Sequence, residues 1–177
     1  GIGEIGLDYF VEDLDRTRQA YFFERQLDLA QAHNLPVVMH VRRSQDAILK
    51  ALRQRRIRSG IAHAFNGSMQ QAEAFIEMGF KLGFGGAMTY TRATHIQALA
   101  KSLPIESIVL ETDAPDIPPS WLGHQGRNTP GELHQIATFF AELRGMNLTS
   151  VIETSHQNTL DALPKIVQLC TSAENLH

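Results

Sequence analysis

The sequence holds 177 residues, 43% of them hydrophobic, and carries a net charge of −3 at pH 7. That is enough chain for one sizeable core in a single domain, residues 1–177, and it excludes a bulk basic field for nucleic acid, so phosphate binding has to be local or metal-assisted. One cysteine, Cys170, excludes an internal disulfide, and no apolar run nears the ~20 residues of a membrane span, so no membrane partner and a cytoplasmic setting are expected.

Gly1 to Asp8 reads as a strand whose alternation puts Glu4, Gly6 and Asp8 on one face and Ile5 and Leu7 on the other. Arg16 to His33 reads as a helix with Phe22, Phe23, Leu27, Leu29 and Ala30 along an apolar side. Pro36 to His40 is the next strand, and Ser44 is placed to cap a helix running to about Arg56. Gly60 to His63 is a third short strand. Ser68 with Gln71 forms a capping box that opens a helix to Met78. Phe80 to Gly86 is a glycine-rich fourth strand, followed by a helix from about Arg92 to Lys101. Ser107 to Thr112 is the fifth strand, stopped by Pro115 and Pro118, because proline cannot donate to a ladder. A long loop covers residues 114–128. Thr129, Pro130 and Glu132 then supply an N-cap, an N1 proline and an N3 glutamate for a helix to Leu143. Ser150 with Glu153 suggests one more cap, with the last helical stretches ending near Pro164 and Cys170.

This strict alternation predicts an α/β fold with parallel strands and right-handed crossovers. An open doubly wound sheet and a (β/α)8 TIM-type barrel both satisfy it. No G-x-G-x-x-G follows a strand, since Gly83, Gly85 and Gly86 lack that spacing. The barrel is favoured by where polar residues fall. Glu4, His40, His63 and Asp113 sit on four different strands, and α/β barrels gather their site residues from several strand ends. Glu111 shares its face with Asp113, and Leu110 points the other way, into the helix layer. Carboxylate plus imidazole suits Zn2+ or Mn2+ more naturally than Mg2+. Arg42 shares a strand face with His40 and can hold a phosphate oxygen with its planar fork. Trp121 and His124, in the long loop, are candidates to stack on substrate, though packing is an equal reading for a loop tryptophan. The basic run Arg53, Arg55, Arg56 and Arg58 belongs to the opposite end of the fold, where cations complement a helix C-terminus.

Four segments carry a resemblance. Gly3-Glu-Ile-Gly-Leu-Asp8, Pro36-Val-Val-Met-His-Val-Arg42, His63-Ala-Phe-Asn-Gly67 and Glu111-Thr-Asp-Ala-Pro115 resemble the ordered motifs of the TatD-type deoxyribonucleases, a branch of the amidohydrolase-like barrels. Gly126-Arg-Asn-Thr-Pro130 resembles that family's loop after the last strand, which adds Arg127 and Asn128 to the substrate-binding candidates. The resemblance implies a divalent-metal phosphodiesterase with DNA as substrate. It implies Mg2+ by family habit, one or two ions per complete site, held by Glu4, His40, His63 and Asp113, with Glu4 bridging and Asp113 also taking a proton from water.

The same resemblance implies departures. The family opens with a strand ending in His-x-His and has a further histidine-bearing strand before the glutamate motif, and neither is in this sequence. The chain therefore reads as strands four to eight of the barrel, with the N-terminal strands coming from a longer parent chain or a neighbour. A small-molecule amide or ester hydrolase of the same superfamily is the alternative, and an inactive barrel fragment is the non-enzymatic one.

Overall fold

Alternation along β2 (Val37–Arg42) decides both faces of the sheet. Val37, Met39 and Val41 are buried, while His40 and Arg42 turn to the other side, where polar groups gather. The buried set packs against Phe23 and Leu27 of α1 (Arg16–Ala32) and Ile48 and Leu52 of α2 (Gln45–Arg55), inside one continuous hydrophobic core. The structure is a computed structural model that describes residues 1–166. The remaining elements are β1 (Ile2–Asp8), β3 (Gly60–His63), α3 (Met69–Glu77), β4 (Phe80–Phe84), α4 (Thr94–Ser102), β5 (Ile108–Leu110), α5 (Leu133–Arg144) and α6 (Leu148–Ala162). Short 3₁₀ turns precede α4, β5 and α5.

The strands form one parallel sheet in the order β1-β2-β3-β4-β5. That sequential order is the wrapping of a barrel wall, and it has no order reversal of the kind a doubly wound sheet shows. Five strands pair among the described residues, against the eight of a complete barrel. Register aligns Gly6 with His40 and His40 with His63, so the two imidazoles stand at one level and Gly6 leaves space beside them. At the opposite end of that inner face, Ile61 and Val109 pack with Ala162 at the end of α6.

Local chemistry explains most boundaries. Asp15 caps α1 by accepting from the N–H groups of Thr17 and Arg18. The Ser68–Gln71 capping box is present in full. Three expected caps differ. Ser44 stands at the N-cap of α2, but its hydroxyl donates to Leu7 O at 2.5 Å, tying α2 to β1 instead. Thr129 precedes a 3₁₀ turn and makes no side-chain cap bond. The last helix starts two residues before Ser150: Asn147 accepts from Thr149 N–H at 2.8 Å, because an asparagine with an extended backbone caps as well as serine. The end expected near Cys170 lies outside the described residues. No described helix is long and apolar enough to cross a membrane.

The free edge of β5 is closed by α6. Leu110 N–H donates to Ser155 Oγ at 2.9 Å, and Asn158 Nδ2 donates to Ile108 O at 2.7 Å. A row of five strands has two edge strands, and on this side α6 covers the edge. Leu110 is only half-buried, because it sits where the strand leaves the core; Ile108 and Val109 carry the burial.

Candidate metal centre

Glu4 and His40, from within their strands, converge with His63 at the carboxyl end of β3. His63 Nε2 lies 2.6 Å from Glu4 Oε1, and His40 Nδ1 lies 2.9 Å from the same oxygen. One donor atom from each of the three falls within 4.8 Å of the others. His40 is held on its second nitrogen as well, with Nε2 3.2 Å from Asp8 Oδ2. A carboxylate on one ring nitrogen fixes the orientation of the other, the arrangement common behind metal-bound histidines. Burial pushes the Asp8 carboxyl up, but hydrogen bonds from Phe10 N–H, His40 and Val11 N–H outweigh it and hold Asp8 below its ordinary range.

Asp113 does not join the three donors. Its Oδ1 lies 3.8 Å from His63 Nδ1, on the other nitrogen of that ring. The four-ligand set expected from sequence is thus a three-residue cluster with Asp113 beside it. The reason is local: β5 ends at Leu110, and Asp113 sits in a left-handed conformation at φ 55°, so strict strand alternation no longer aims its side chain. Burial raises the Asp113 carboxyl above its ordinary value, with His63 opposing.

Glu111 is the deeper carboxylate. Its Oε1 accepts from Ala64 N–H at 2.5 Å, and burial pushes its pKa up to about 7. It fits because Gly83 and Gly85 are glycines. A Cβ on Gly83 would overlap the Glu111 carboxylate, and one on Gly85 would lie 2.7 Å from Glu111 O.

Glu4, His40, His63 and Asp113 border a cavity of about 740 Å³, lined also by Phe10, Arg42, Arg43, Asp116 and Ile117. Arg42 is placed as expected, half-exposed, its guanidinium 3.7 Å from Asp8 Oδ2. Arg127 is exposed and does not line the cavity. Asn128 is 3% exposed and donates from Nδ2 to Thr112 O at 2.7 Å and Asp116 O at 2.5 Å. It latches the loop after β5. Trp121 donates to Glu132 Oε2 at 2.8 Å and packs on the core, and His124 stacks on Tyr90 with ring centroids 4.7 Å apart. The loop tryptophan is therefore a packing residue.

Sequence reasoning left four residues around the site out of its set: Asp8 and Glu111 beside the histidines, and Phe10 and Arg43 in the cavity lining. Asp8 and Glu111 were legible as face-mates of Glu4 and Asp113. Phe10 and Arg43 lie beyond strand ends, where alternation gives no signal.

Two imidazoles and a carboxylate leave coordination positions open for water or substrate, and the donor set fits a divalent cation. Fold and site together define a class of parallel α/β proteins with a metal centre at the carboxyl end of the sheet. The sequence matches the family described as TatD related DNase across residues 1–164, and the chain belongs to that family. It is 39% identical over 160 residues to the uncharacterized metal-dependent hydrolase YjjV of Escherichia coli K12, covering 89% of this chain and 61% of that protein. It is 33% identical to the human deoxyribonuclease TATDN3, covering 95% of this chain and 61% of that protein. The crystal structure of the E. coli TatD homologue YjjV superposes with a TM-score of 0.85 at 38% identity, covering 92% of this chain and 62% of that one. The chain thus spans about three fifths of the length of these relatives.

Proposed function

We propose that this chain carries the metal-binding part of a divalent-metal-dependent hydrolase that cleaves phosphodiester bonds in DNA. The observation that carries the reading is the convergence of Glu4, His40 and His63 on one point of a cavity that Asp113 also lines. Glu4, His40 and His63 would hold the cation, and Mg2+, Mn2+ and Zn2+ are all to be tried. A cation held there supplies Lewis acidity toward a phosphoryl oxygen and makes water acidic enough to attack at neutral pH.

The chain's own groups do the rest. Asp113 accepts the proton released by the attacking water. Asp8 holds His40 in place, and Ala64 N–H holds the Glu111 carboxylate next to His63. Arg42 binds a non-bridging phosphate oxygen. The sequential parallel strands fit a stretch of (β/α)8 wall, and the names carried by the relatives above support hydrolysis, with TATDN3 supporting DNA.

The test is turnover of a DNA oligonucleotide beside a panel of small esters and amides, with Mg2+, Mn2+ or Zn2+ and with chelator. Metal-dependent cutting of the oligonucleotide is expected. Turnover of the small esters alone would replace the nuclease reading with that of a small-molecule hydrolase. Isothermal titration with Mn2+ is expected to give one site per chain, lost in His63→Ala.

A further inference from the structure

Arg42 and Arg43 are sequence neighbours, and in an extended strand their side chains would leave opposite faces. They do not. Arg42 is the last residue of β2, and Arg43 follows at φ 55°, which breaks the alternation. Both guanidinium groups come to rest on one ring: the Phe10 centroid lies 3.9 Å from Arg42 Cζ and 4.7 Å from Arg43 Cζ. Phe10 is 46% exposed, so its ring and the guanidinium groups over it stand open to solvent at the cavity. All three side chains line the cavity that Glu4, His40, His63 and Asp113 border.

Charge sharpens the point. Among the described residues lining that cavity, Arg42 and Arg43 are the only arginines or lysines, against Glu4, Asp113 and Asp116. A polyanion approaching this cavity finds arginine or lysine charge only at this corner among the described lining residues. One guanidinium answers one phosphate. Two, both held on a common ring with less rotamer freedom to lose, answer a phosphate and its neighbour along a chain.

We propose that Arg42 and Arg43, seated together on Phe10, hold two consecutive phosphates, Arg42 the scissile one and Arg43 its neighbour, so that this site selects a nucleic-acid strand over an isolated small phosphate ester. The inference rests on the phosphodiesterase reading for its choice of ligand. Phe10 acts as a positioning residue, and Arg43 is the member that a minimal phosphate site would not need.

Binding tests the clamp without turnover. The probe is a short fluorescein-labelled DNA single strand, followed by anisotropy on the full chain in chelator across a salt series. Arg43→Ala is expected to weaken binding about fivefold. It should also flatten the slope of log K against log salt by about 0.7, the value for one lost phosphate contact on a single strand. Arg53→Ala removes the same charge from the last turn of α2 and should behave as wild type. Phe10→Leu should weaken binding, and Phe10→Tyr, which keeps the ring face, should restore it. Equal slopes for wild type and Arg43→Ala, no binding by wild type, or an equal loss in Arg53→Ala would each overturn the clamp. Intact binding with these slopes but no oligonucleotide turnover in any metal would sink the nuclease reading and leave the clamp standing.

Discussion

Asp113 and Glu111 lie two residues apart, yet their surroundings give them different work. Asp113 lines the open cavity, whereas Glu111 is wedged under two glycines against Ala64 N–H. Asp113→Asn keeps size and hydrogen bonding but cannot take a proton. In the full chain this change is expected to lower metal-dependent turnover by roughly 10²–10⁴, with an unchanged unfolding midpoint. Near wild-type activity would remove Asp113 from the role of base. Gly83→Ala should act through stability, because the new Cβ and the Glu111 carboxylate want the same space. Forced overpacking of this kind costs about 1–3 kcal/mol. Urea denaturation measures it, and a midpoint equal to wild type would mean that Glu111 swings clear at no cost.

Elements were legible where hydrophobic period and capping chemistry agreed, as at the third helix, whose Ser68 and Gln71 box is fully formed. They were less legible where a side chain with capping chemistry serves a tertiary contact. Ser44 is the case in point, since its hydroxyl reaches Leu7 O across to the first strand. The site divided along the same line: Glu4, His40 and His63 follow from alternation within strands, whereas Asp113, Arg43 and Asn128 lie past strand ends, where loop path decides. Asn158 could not be read at all, because it is a polar residue inside a helix whose partners come from a distant strand. It is 3% exposed and donates to Ile105 O at 2.8 Å and to Ile108 O at 2.7 Å. Asn158→Leu would strand two carbonyls, and leaving buried polar groups unmade costs about 1–3 kcal/mol. Thermal unfolding of the variant checks this, and no loss would mean water replaces the amide. The first two helices are tied differently, by Arg55 Nε donating to Asp28 at 2.7 Å. That bond holds the Asp28 carboxyl below its ordinary value. A depressed folded-state pKa gives stability that is present above the unfolded pKa and lost as pH falls through the folded one. Stability should therefore fall less steeply below about pH 4 in Asp28→Asn than in wild type. Parallel pH curves for the two proteins would show that this ion pair contributes nothing.

On the scale of the whole molecule, the two sides of the sheet are treated unequally. The outward groups of the fifth strand, Leu110 N–H and Ile108 C=O, both find partners on the last helix, so side chains partly cover that edge. The first strand pairs with the second alone among the described residues. Its Asp8 turns outward, and Gln19 takes both Asp8 groups, accepting from N–H at 2.8 Å and donating to C=O at 3.1 Å. Gly6, two residues earlier, presents its main-chain groups the same way by strand alternation. It has no side chain of its own to block approach. A parallel strand edge of this length with unpaired amides is a template for another chain, and Glu4 and Asp8 are the charged residues of that strand. The 177-residue chain in isolation is therefore expected to self-associate through its first strand as concentration rises. Size-exclusion chromatography with light scattering should show mass increasing with loading, and exchange of the Gly6 amide should slow in parallel. A constant monomer mass across that range, with Gly6 exchanging freely, would mean that the Glu4 charge and the Gln19 clasp suffice to guard the edge.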